Sequence, residues 1–242
     1  MNRIAAQQQA WHNGQPVHAR NEGAVIPVVH QQRAGDPLPE IRGFVRSPFN
    51  PLVYHSVQQA VRAAGREEGG WPDPARVGIA LGSMFVDAVT EEESWHDILQ
   101  GKKLSPIMFP QSVPSAIIGL LTRELAIHGP MTCLGSSRNN WSIMLDMATD
   151  WITSDYADIV VLTACDVPSL RSRAWEEAQG TADGWIGGAM TVILERTEHA
   201  LGRGRLQGAL SLQQFRQRYV GHKSALPAHR GLLGSCWEEG ES

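Results

Sequence analysis

The stretch SPIMFPQSVPSAIIGLLTRELAIHGPMTCLGSSRNN, residues 105–140, followed at 157–166 by ADIVVLTACD, decides how this chain folds. It spells a buried helix, a short strand, an abrupt turn of small polar residues, a second helix and a core strand. That succession is how an α/β fold sets a reactive group at a strand-to-helix corner. The corner is Gly135-Ser136-Ser137-Arg138-Asn139, and it carries no cysteine.

Before the corner, Ser112 reads as the cap of a helix running to Ile127, with Pro114 in its first turn, where a missing amide costs little. Ile117, Leu120, Leu121 and Leu125 share one face of it, and Gly129-Pro130 forces the chain out into a strand Met131 to Leu134. After the corner, Trp141, Leu145, Ala148 and Ile152 form a buried stripe at helical spacing. The helix leads to Ile159 to Leu162, an unbroken apolar run suited to a central strand covered on both faces.

Further out, Leu52, Val53, Val57, Val61 and Ala64 recur at helical spacing over 51–64, and Gly65 is a left-handed cap. Arg76 to Leu81 reads as a short buried strand stopped by Gly82-Ser83. Thr90 reads as the cap of the next helix, with Glu91, Glu92 and Glu93 as a solvated first turn and Trp95, Ile98 and Leu99 as its buried edge. Gly187-Gly188 introduces a strand Ala189 to Leu194, with Arg205 to Leu212 as an antiparallel partner. Near the start, Met1 to Gln9 and Ala24 to Val29 compete as first strand, the latter confined to an edge by Pro27. The expected organisation is an N-terminal strand and loop-rich extension over 1–48, a principal domain over 49–212 and a tail over 213–242.

The chain has 242 residues and a formal net charge of −4, which gives no electrostatic footprint for nucleic acid or anionic membranes. Three cysteines, an odd count without paired spacing, point to a reducing, cytoplasmic compartment. The N-terminus has no apolar core of signal-peptide kind, and no run approaches the length that spans a bilayer. No residue grouping calls for a cofactor or a metal.

Five pieces, in order, resemble the N-terminal half of a β-ketoacyl synthase of the thiolase-like superfamily: Phe49-Asn50-Pro51; Ser105-Pro106 with Phe109-Pro110 and Ser112-Val113-Pro114; Gly129-Pro130; Ala157-Asp158; and Ala182-Asp183-Gly184-Trp185-Ile186-Gly187-Gly188 leading to Leu194-Glu195. The resemblance implies an α/β thiolase-like half, with a mixed, mostly parallel sheet and helices on both faces. In that family the nucleophilic cysteine follows the Gly-Pro pair at a fixed short distance. The matching position here is Arg138, whose permanently protonated guanidinium cannot form a thioester.

The three cysteines do not replace it. Cys133 lies in the strand before the corner and reads as a buried structural thiol. Cys165 has the letters of a ketosynthase motif in Thr163-Ala164-Cys165 but stands at the end of the wrong strand. Cys236 sits in the polar tail. Both remain weak alternative nucleophiles, Cys165 ahead of Cys133. Ser136 and Ser137 read better as helix caps than as nucleophiles.

The family also carries two histidines in a C-terminal half, one before a GTGT turn. No GTGT turn occurs, Gly221-His222-Lys223 is only a fragmentary likeness to the second segment, and the other eight histidines show no metal-ligand grouping.

The resemblance therefore implies a non-catalytic partner, a short chain-length-factor-like subunit. It would pair with a catalytic ketosynthase, its strand before the corner antiparallel to its counterpart. Together they would shape the pocket for iterative elongation of polyketide or polyene chains on an acyl carrier protein. Pocket or interface residues on this reading are Ser112, Ile117, Leu121, Met131, Cys133, Ser136, Ser137 and Arg138. Arg138 has three readings: a donor to a carboxylate or thioester carbonyl near the partner's site, an ion pair within the subunit, or a solvated side chain. Two rival functions stand beside this one: a free-standing diverged acyltransferase or thiolase-like enzyme using Cys133, Cys165 or Ser136, and a non-enzymatic assembly-line scaffold.

Overall fold

The computed structural model describes residues 23–67, 70–103, 112–135, 140–178, 187–204 and 207–220. The candidate first strand Met1 to Gln9, the corner residues Ser136, Ser137 and Arg138, and Cys236 and His222 lie outside them.

Six strands among the described residues form one sheet: β1 (Ala24–Arg33), β2 (Val77–Ser83), β3 (Met131–Gly135), β4 (Ile159–Asp166), β5 (Gly188–Arg196) and β6 (Leu210–Ser211), in the order β3-β2-β4-β5-β1-β6. The pairs β2–β3 and β2–β4 are parallel, and β5 is antiparallel to both β4 and β1. The first four strands thus run one way, and only β5 and the two-residue β6 oppose them. This is the mixed, mostly parallel sheet of the expectation.

Helices cover both faces. On one lie α1 (Phe49–Ala63) and, after α2 (Ala88–Leu99), α3 (Pro114–Glu124); on the other lies α4 (Asn140–Thr153). Apolar spacing dictates this arrangement. Leu52, Val53, Val57, Ala60 and Val61 of α1 are wholly buried against Ile79, Val161 and Ile193. The α4 stripe Trp141, Leu145, Ala148 and Ile152 packs on Val160, Leu162 and Val192. Burying each such large aliphatic side chain stabilises the fold by about 1.5–3 kcal/mol. Among the described residues, short helices α5 (Leu170–Ala178), α6 (Thr197–Gly202) and α7 (Leu212–Phe215) follow, the last running into a π-helical turn at Arg216–Val220. Leu212 and Phe215 are also buried, in the α4 layer.

Gly65 ends α1 as expected: its φ is +62°, and Arg66 N donates to Val61 O at 3.0 Å, closing the last turn. β4 is central, and it extends beyond Leu162 to Asp166.

Other expectations need correcting. Asp87, not Thr90, caps α2; its carboxylate accepts from Thr90 N at 3.3 Å. Trp95, Ile98 and Leu99 are exposed, because α2 docks through Ala88 and Thr90 of its first turn and the rest lies on the flank of the domain. Val113, not Ser112, is the N-cap residue of α3, since Pro114 holds its predecessor in extended backbone.

Of the strand expected over 205–212, the described residues form β6, which pairs with β1 and not with β5, because β4 and β1 already occupy both sides of β5. Pro27 falls at the register shift between Val25 and Val28, which is how β1 carries a proline between two neighbours.

Candidate functional site

The connection leaving β2 goes to the α1–α3 face, and the connection leaving β3 goes to the α4 face. Where adjacent parallel strands send their chains to opposite faces, a crevice opens beyond their carboxyl ends, and ligands of open α/β sheets bind there. The corresponding position in this sheet is between the turn after Ser83 and the end of β3 at Gly135. The corner residues Ser136, Ser137 and Arg138, between Gly135 and the start of α4 at Asn140, lie outside the described residues.

The turn after β2 is built around one carboxylate. Asp166, at the end of β4, accepts three hydrogen bonds on Oδ1: from Ser83 Oγ at 2.7 Å, Met84 N at 2.9 Å and Phe85 N at 3.0 Å. Ser83 Oγ in turn accepts from Val86 N at 2.7 Å. Val86 has φ +58°, a left-handed conformation that a β-branched residue adopts only when its surroundings impose it.

Burial pushes Asp166 up to about 6, against the opposing effect of its three donors. Asp87 is likewise raised by burial, although it bonds Thr90 and Asn50 Nδ2. Neither acid was singled out in the sequence. The available signal was an acidic residue closing an apolar strand, Asp166 after Cys165, paired with the Gly82-Ser83 stop.

Cys165 is 1 % exposed, and burial first, then the charges of Asp166 and Asp87, push its thiol well up. A thiol so placed is a poor nucleophile. Cys133 corrects the expectation of a buried strand thiol: among the described residues β3 is the edge of the sheet, with β2 on one side only, and Cys133 is exposed. Its thiol is raised by partial burial, with no charged group offsetting that shift.

The other sequence candidates divide. Met131 is exposed, on the same edge as Cys133. Ile117 and Leu121 are wholly buried in the chain's own core, and Ser112 is half-buried before α3. The described geometry thus brings Met131, Cys133 and Gly135 together on one open edge.

A separate groove of about 430 Å³ lies between α2 and α5, lined by Arg46, Val89, Glu92, Glu93, His96, Asp97 and Leu170. Its acids are engaged. Glu92 accepts from Leu170 N and Arg171 N at the start of α5, and Arg46 and Lys102 meet Glu93 and Asp97. Among the described residues no group of three or more His, Cys, Asp or Glu is placed to hold a metal ion. No helix among them is long and apolar enough to cross a membrane.

No family model matches the sequence. Solved structures match the fold. A type II PKS acyl-carrier protein in complex with its ketosynthase, AntDE:AntF, aligns at TM-score 0.58 and 17% identity over 76% of this chain and 65% of that one. The ishigamide ketosynthase/chain length factor aligns at 0.58 and 14%, over 73% and 63%. A β-ketoacyl synthase from Burkholderia phymatum aligns at 0.59 and 15%, over 76% and 61%. The fold is that of thiolase-like ketosynthases, and the chain spans less than two thirds of the length of these structures.

Proposed function

We propose that the chain is a non-catalytic, chain-length-factor-like subunit that pairs through β3 with a catalytic β-ketoacyl synthase. Together they shape the pocket in which acyl-carrier-protein-bound polyketide or polyene chains are elongated iteratively. The observation that carries this reading is the open edge of β3. Its backbone has no neighbour on the outer side among the described residues, and Met131, Cys133 and Gly135 are exposed on one face of the strand. An unpaired edge with exposed apolar side chains is a template for a strand from another chain. A crevice at the end of that edge would then open towards the partner.

The chemistry at hand agrees with a subunit that leaves acyl transfer to its partner. Arg138 stands at the nucleophile-equivalent position, and the Cys165 thiol is buried with its ionisation suppressed. The ketosynthase and carrier-protein complexes among its structural relatives support the choice of partner.

Co-expression with a catalytic ketosynthase and an acyl carrier protein tests this. A stable complex is expected, with product length shifting when Met131 or Cys133 is replaced. Unchanged products from a stable complex favour the scaffold, and turnover of acyl thioesters by the chain alone favours the free-standing enzyme. If no ketosynthase is retained by the chain, the proposal is wrong.

A further inference from the structure

We infer that Asp166 is a positioning residue, fixing the turn after β2 so that Val86 stays left-handed beside Gly135 at the end of the open β3 edge. The contacts run in one line. Asp166 Oδ1 takes the hydroxyl of Ser83 and the amides of Met84 and Phe85, and the same hydroxyl takes the amide of Val86. Four donors of a five-residue turn are therefore satisfied directly by this carboxylate or through one hydroxyl bound to it.

Val86 pays for that arrangement with a positive φ, and such strain persists only where neighbouring bonds over-determine it. A methyl of Val86 lies 3.7 Å from where a Cβ on Gly135 would stand, so the turn lies beside β3 at its last residue. Below the turn, Asp87 caps α2 and bonds Asn50 at the start of α1. The position of Val86 is thereby tied to two helix starts and to the end of the central strand. This assignment deepens the proposed pairing role, and it rests on that reading only for the claim that the β3 edge meets a partner.

The test separates the two. Amide exchange and the local NMR couplings of Val86 are measured on the full chain alone, for the native protein, Asp166→Asn, Asp166→Ala and Ser83→Ala. Asparagine keeps the Oδ1 acceptor, so Asp166→Asn retains protection of Met84 and Phe85 and the left-handed Val86. Asp166→Ala loses protection at these amides by about tenfold or more relative to β4 amides, the equivalent of a charge-assisted hydrogen bond. Val86 then relaxes from the left-handed region.

Ser83→Ala releases Val86 alone and keeps the test open should Asp166→Ala not fold. Retention of the left-handed Val86 in a folded Asp166→Ala or in Ser83→Ala overturns the inference, as does loss in Asp166→Asn equal to that in Asp166→Ala. Ketosynthase binding is then measured on the same variants. If the turn is released as expected in the variants but the native chain binds no ketosynthase, the positioning role is upheld and the pairing reading is refuted.

Discussion

Arg76 and Asp158 meet through two hydrogen bonds, one from Nη2 to Oδ1 at 2.6 Å and a shorter one from Nε to Oδ2. The pair ties the start of β2 to the start of β4, and Arg196 at the end of β5 joins it with a bond to Asp158 Oδ1 at 2.9 Å. Hydrogen bonding to Arg76 holds Asp158 below the usual carboxylate range despite the opposing effect of burial. A depressed carboxylate contributes stability above its unfolded value of 3.8, and loses it as pH falls through the folded value. Asp158→Asn is therefore expected to lower the unfolding free energy by about 2 kcal/mol at neutral pH, with the difference from the native protein shrinking below pH 3.8. Urea titrations over that range check it, and an equal midpoint at pH 7 would refute it.

Asp166 works in the opposite sense. Its folded value, raised to about 6 from 3.8, means that its contribution is fully present below 3.8 and lost as pH rises through about 6. Two pH units correspond to roughly 3 kcal/mol. Asp166→Asn has no such loss, so its stability relative to the native protein is expected to rise by that order between pH 4 and pH 8. Comparing the two proteins at each pH cancels the effects of the raised Asp87 and of His30, which is lowered mainly by burial. A pH-independent difference would show that the Asp166 carboxyl titrates normally.

The sequence made the core of this fold legible where spacing alone decides, and left obscure whatever depends on distant neighbours. The α4 stripe and the run Ile159 to Leu162 were readable because a buried face repeats at the period of its own element. Trp95, Ile98 and Leu99 obey the same spacing and are exposed, since periodicity defines a face without saying what covers it. Cys133 was misread for a similar reason: strand character is local, but edge position depends on the order of strands. Asp166 and Ser83 are 83 residues apart, and no local pattern announces that one carboxylate will organise the other's turn.

The sequence reads Gly129 as the residue that ends a helix, but α3 ends at Glu124 and Ala126, at φ +50°, turns the chain, so the constraint on Gly129 is a different one. A Cβ there would stand 2.4 Å from Val77 O and 2.9 Å from Ala75 O, both backbone atoms that cannot swing aside. Gly129 N also donates to Val77 O at 3.0 Å, locking the entry to β3 against the start of β2. Gly129→Ala is expected to destabilise by about 3 kcal/mol, visible as a lower denaturant midpoint. A change under 0.5 kcal/mol would mean the neighbouring strand yields easily, about the scatter of ordinary surface substitutions.

The two described thiols differ in exposure, and modification mapped by mass spectrometry reads that difference. Under native conditions a neutral alkylating reagent is expected to label Cys133 and spare Cys165, which reacts only after unfolding. Addition of a ketosynthase is expected to protect Cys133 if β3 is the paired edge. Native labelling of Cys165 would contradict its burial, and unchanged labelling of Cys133 in a stable complex would move the interface elsewhere.

Met131 offers the sharpest separation of folding from pairing, because it is 55% exposed at the start of the open edge. A lysine at this position keeps the backbone of β3 bonded to β2 and leaves the charge in water, so Met131→Lys is expected to alter stability by no more than about 0.5 kcal/mol. Against a paired strand the same ammonium must be desolvated or must displace its neighbour, which is how natural edge strands discourage pairing. The expected result is a folded chain whose affinity for ketosynthase falls about tenfold or more, read by sedimentation or by retention on an immobilised partner. Loss of folding would mean that Met131 supports the core, and full binding by a folded Met131→Lys would place the interface away from β3.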